Sequence, residues 1–138
     1  MSSANSNDVL NRLSVIHNRS LPMYLGYAPP FYQRAKHEAR QVLALIVDYQ
    51  REIVDRIGSL IVDRNGTVDS GAFPMYFTGY HDLSVEFLIT KVIELLLIDV
   101  TNIQACVDDL GNDPVAKAIA EEALGAAKGH LDTLQELS

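Results

Sequence analysis

The chain has 138 residues, 18 of them acidic and 11 basic, for a formal net charge of −7. That length suits one domain that folds without disulfide or metal staples, and the excess of acid excludes the broad basic surface that nucleic-acid binding by counterion release requires. A lone cysteine, Cys106, excludes an internal disulfide, and the opening MSSANSNDV has neither the charged nor the apolar region of a secretion leader, so a cytoplasmic location is expected.

Residues 1–6 read as a disordered N-terminus and 7–138 as a single domain. Apolar residues recur at helical spacing in four stripes separated by breakers, so the expected class is all-α. The first helix runs from about Asn7 to about Tyr27, with Val9, Leu10, Leu13, Ile16, Leu21 and Tyr24 on one side. Pro22 is expected to kink it and Pro29-Pro30 to close it. The second spans roughly Tyr32 to Asp63 on a stripe of Val42, Leu45, Ile46, Tyr49, Ile53, Ile57, Leu60 and Ile61. The Asn65-Gly66 turn ends it.

The following segment, GTVDSGAFPMYFTGYHD, has no helical period, and its length suits a connection that spans the molecule. Its aromatics Tyr76, Phe77 and Tyr80 read as a lid over apolar surface. The third helix starts near Asp82 as N-cap and ends at Gly111; the fourth starts at Asn112-Asp113-Pro114, a cap followed by proline in the first turn. So tight a link makes these two helices antiparallel neighbours. The most apolar stretch, VEFLITKVIELLLIDV, is interrupted by Glu86, Lys91, Glu94 and Asp99, so it reads as a buried helix and no membrane partner is expected.

Three of the stripes carry an inward titratable group. His17 falls between Leu10, Leu13 and Leu21, Asp99 lies within the aliphatic wall of the third helix, and His130 sits at the centre of the fourth helix's core side with Glu122 at its edge. Tyr49 on the second helix supplies a hydroxyl. An unpaired buried carboxylate costs several kcal/mol, so Asp99 requires a partner, a proton, a metal ion or water. Counting about 1.5 Å per residue from Gly111, Asp99 lies at about 18 Å, Glu122 at about 17 Å and His130 at about 28 Å, which predicts an Asp99–Glu122 layer and a separate layer at the height of His130. Ser20 and Asn102 have no base at a readable spacing, and no catalytic residue is assigned.

The pattern of short, long and short links resembles that of the ferritin-like proteins: a four-helix bundle of two antiparallel hairpins joined by a long crossover. The resemblance places His17 near the level of His130 and Tyr49. It implies an inner iron-type site, with manganese or zinc as alternatives, here built from His17, Asp99, Glu122 and His130. The Glu-x-x-His motif of di-iron members is not intact, since Ala127 stands three residues before His130. A second likeness, to the intersubunit iron sites of the Dps-like ferritins, rests on His37, Asp48, Glu52 and Asp55, with Arg56 where a further acid is expected; a solvated helix face explains the same stripe. The alternative function is a non-enzymatic helical module, dimeric and metal-free, whose buried His and Asp groups set helix register. Both readings expect a homo-oligomer.

Overall fold

The computed structural model describes residues 3–27, 37–80 and 84–137. Among the described residues there are five α-helices and no strand: α1 (Ser3–Asn18), α2 (Leu21–Tyr27), α3 (His37–Asp63), α4 (Val85–Asp109) and α5 (Pro114–Leu137), with one 3₁₀ turn at Met75–Gly79. The all-α class is as expected. The helix expected from Asn7 to Tyr27 is instead two helices. The break follows from Ser20, whose Oγ accepts from Met23 N–H at 3.2 Å and restarts the chain as an N-cap, with Pro22 in the first turn where its missing N–H does no harm. Of residues 1–6, expected to form a disordered N-terminus, 3–6 belong to α1 and Ser6 is buried, while 1 and 2 lie outside the described residues.

α3 ends as its sequence implies. Asn65 adopts a left-handed φ of 61°, while Gly66 N–H donates to Ile61 C=O at 2.8 Å and Asn65 N–H to Val62 C=O at 3.0 Å, the paired bonds of a Schellman ending. The α4 cap is Ser84, whose hydroxyl accepts from Phe87 N–H at 3.3 Å. Asp82, expected in that role, lies outside the described residues, as do Pro29, Pro30 and Tyr32. α5 is capped by Asp113, which accepts from Ala116 N–H at 3.2 Å and forms a two-pronged ion pair with Arg64 of the α3 terminus.

α4 packs chiefly on α5 and α1 on α3, and contacts of α1 with α4 and of α3 with α5 close the ring. α2 rests on α3 and α4. The stripe of Ala116, Ala120, Ala123 and Ala127 lets α5 approach closely. On α3 the fully buried Ile53, Ile57 and Ile61 each contribute about 1.5–3 kcal/mol of apolar burial. The first half of α3 is turned by about one position from the expected stripe: Leu43, Val47 and Gln50 are buried, whereas Leu45 is 68% exposed. The reason is a neighbour. Ser20 donates to Gln50 Oε1 at 2.7 Å, which satisfies a polar side chain that would otherwise be expelled from the core.

The crossover is stitched to α1. Asn11 donates to Thr67 C=O at 2.9 Å and accepts from Asp69 N–H at 2.7 Å. Arg19 donates to Ser70 C=O at 2.8 Å and stands 4.7 Å from the Phe73 ring centroid. Gly71 is required here: its φ is 65°, and a Cβ would lie 2.8 Å from Val15. The crossover aromatics cover apolar surface, Phe77 being buried against Tyr24 with ring centroids 5.6 Å apart.

Candidate functional site

Each long helix places a polar residue with a ring, amide or carboxyl group in its buried aliphatic series. In α1 His17 follows Leu10 and Leu13; in α3 Gln50 stands between Ile46 and Ile53; in α4 Asp99 stands between Leu96 and Ile103; in α5 His130 stands between Ala127 and Leu134. These four residues, with Tyr49, line a single cavity of about 10 Å³. That is near the lower limit for one water molecule.

Burial drives every titratable group of this layer toward its neutral form. His17, 3% exposed, donates from Nδ1 to Leu13 C=O at 2.9 Å, so the neutral ring keeps its lone pair on Nε2. Desolvation lowers its pKa, with a smaller contribution from His130. Desolvation also lowers His130, whose ring meets Tyr49 edge-on at 5.4 Å between centroids. Tyr49 is pushed up to about 12, and its buried hydroxyl has no hydrogen-bond partner among the described residues. Asp99 is raised from an ordinary 3.8 to about 7 by loss of solvation alone; no described residue pairs with it.

Of the four residues expected at an inner site, the fold brings His17, Asp99 and His130 to one cavity, with Tyr49 beside them. Glu122 is not among them. It is exposed and pairs with Arg56 at 2.8 Å on the surface, which leaves its carboxyl below the usual range. The axial separation expected between Asp99 and His130 does not keep the two from lining one cavity, and part of the reason is geometrical. Helical side chains lean toward their own N-terminus, so in this antiparallel pair Asp99 leans away from the Gly111 turn and His130 leans back toward it. Gln50 was hidden by the rotated reading of α3; its place in the series Leu43, Ile46, Ile53, Ile57 was the available signal. His37, Asp48, Glu52 and Asp55 are exposed.

On its outer side Asp99 also lines a cleft of about 690 Å³ between α1, the crossover and α4, whose walls include Val15, Ile16, Leu95, Ile98, Tyr76 and Phe77. Asp99 therefore stands between an open cleft and the inner layer.

No family model, curated protein or solved structure matches this chain. Among the described residues no three His, Cys, Asp or Glu side chains lie close enough together to hold one metal ion, and no helix is long and apolar enough to cross a membrane. The inner layer presents two neutral imidazoles, a carboxyl that ionises near pH 7 and a phenol with no partner among the described residues. Such a set can take up a proton, a water molecule or, with ionised Asp99, a cation.

Proposed function

We propose that this protein is a ferritin-like helical bundle that holds one divalent transition-metal ion, iron first and manganese or zinc as alternatives, between His17, Asp99 and His130. The observation that carries this reading is the convergence of donors from different helices on one water-sized cavity, while the Tyr49 hydroxyl and the Asp99 carboxyl have no partner among the described residues. Two imidazoles and a carboxylate are a donor set suited to iron or zinc. The bond from His17 Nδ1 to Leu13 C=O is the kind of support that orients a ligating imidazole. The donor types fit, but their present spacing does not bring three within reach of one ion, so loading requires Asp99 and His130 to close inward. Asp99 gives up its proton as the cation enters. A bound ion would supply Lewis-acid or redox chemistry; no reaction is assigned.

The test is elemental analysis of untagged protein purified without chelator, before and after anaerobic incubation with ferrous iron. Stoichiometric metal that is lost in both Asp99→Asn and His17→Ala supports the site. A second reading, a non-enzymatic and dimeric helical module whose inner groups are structural, is favoured by the bond of His17 to Leu13 C=O and the edge-on packing of His130 on Tyr49, which hold both rings without a ligand. On that reading both preparations are metal-free, Asp99→Leu leaves the fold intact or stabilises it, and light scattering reports a dimer.

A further inference from the structure

The cleft outside Asp99 adjoins the inner cavity through Ile16 and Asp99 and falls in the size range of small-molecule sites. Its electrostatics select the sign of a ligand. Both arginines on its walls are engaged, Arg12 with Asp109 at 2.6 Å and Arg19 with Ser70 C=O and the Phe73 ring. Asp8 and Asp69 add exposed carboxylates at the rim, and Asp99 at the base has no partner among the described residues. Along the α4 wall run Leu95 and Ile98, the latter 56% exposed, and the Tyr76 ring is also exposed. An apolar wall that ends at an unpartnered carboxyl complements a molecule with an apolar body and a cationic head.

We propose that this cleft binds a small amphipathic ammonium ion, a primary alkyl or aryl amine, with its head on Asp99 and its body along Leu95, Ile98 and Tyr76. The chain's own contribution is a charge partner for the ammonium and apolar surface that sheds water when covered. The cleft lining carries three carboxylates, Asp8, Asp69 and Asp99, against Arg12, which is paired with Asp109, and Arg19, which keeps its charge, and this excess of acid disfavours an anionic guest. Asp99 is common to both sites, but the proposal does not rest on the metal reading, because the amine would be held without metal and Leu95, Ile98 and Tyr76 line the cleft and not the inner cavity.

The test is calorimetric titration of chelator-treated protein at pH 8.5 with octylamine, octanol and octanoate, all below their aggregation limits. Octylamine is expected to bind at least tenfold more tightly than octanol, and octanoate more weakly than either. Asp99→Asn should abolish the preference of amine over alcohol. Ile98→Trp, a substitution at an exposed position that fills the cleft, should weaken octylamine and octanol alike by tenfold or more, with helical content checked by circular dichroism. Equal affinity for octylamine and octanol, or octylamine binding indifferent to Ile98→Trp, overturns the proposal. Because metal is absent throughout, failure here is separate from failure of the metal site, which is read by elemental analysis alone.

Discussion

Asp99→Asn tests the central physical claim, that a carboxyl lies on the core side of α4 with no ion-pair partner among the described residues. Burial raises its pKa from 3.8 to about 7. The unfolded chain therefore releases this proton near pH 4 while the folded chain keeps it until about pH 7, so stability falls as pH rises through that window and levels off above it. At 1.36 kcal/mol per pH unit the full displacement is worth about 4 kcal/mol, an upper value because water in the cleft still reaches the carboxyl. Asparagine preserves the shape and cannot ionise. The variant should match the parent chain near pH 4 and exceed it by about 2–4 kcal/mol at pH 8. Urea denaturation of both proteins from pH 4 to 8.5, with chelator present, reads that difference. The subtraction removes titrations common to both chains; the groups facing Asp99 are His17, Arg12 and Arg19 from α1, Tyr49 from α3, His130 from α5, and Asp8 and Asp69 at the cleft rim. A difference that stays constant with pH, or one that favours the parent chain at pH 8, would mean that Asp99 is ionised beside a cation, and the reasoning fails.

Three further outcomes follow from the packing and the remaining shifts. His17 and His130 are both lowered from 6.5 by burial, so the stability associated with their neutral forms is complete above that pH and is lost as pH falls; His130→Gln should flatten the decline between pH 6.5 and 5 in the same denaturation assay. Ile57→Ala, at a position with no exposure, should lower unfolding free energy by about 2–5 kcal/mol with an unchanged urea m-value, and a loss below about 1 kcal/mol would show a loosely packed core. Asp113→Ala removes the α5 cap and leaves Arg64 without its carboxylate, for a loss of about 2 kcal/mol. Asp113 is held at about 2, chiefly by Arg64, so that difference should be present above pH 4 and fade toward pH 2.

Local chemistry was readable in the sequence wherever it depends on nearest neighbours. The Asn65-Gly66 ending, the Asp113-Pro114 start of α5, the aromatic crossover and the inward placement of His17, Asp99 and His130 all follow from residue type and helical period. Tertiary structure alone decided what those groups face. It turned α3 so that Gln50 meets Ser20, because a buried amide is tolerated only where a partner from another helix reaches it. It sent Glu122 outward to Arg56, since a carboxylate at the edge of a stripe takes whichever side offers charge and water. It brought Asp99 and His130 to one cavity, in part because axial rise counts Cα positions whereas antiparallel side chains lean toward one another. Periodicity assigns a residue to a face; the distance across a bundle depends on neighbours that one helix's sequence does not contain.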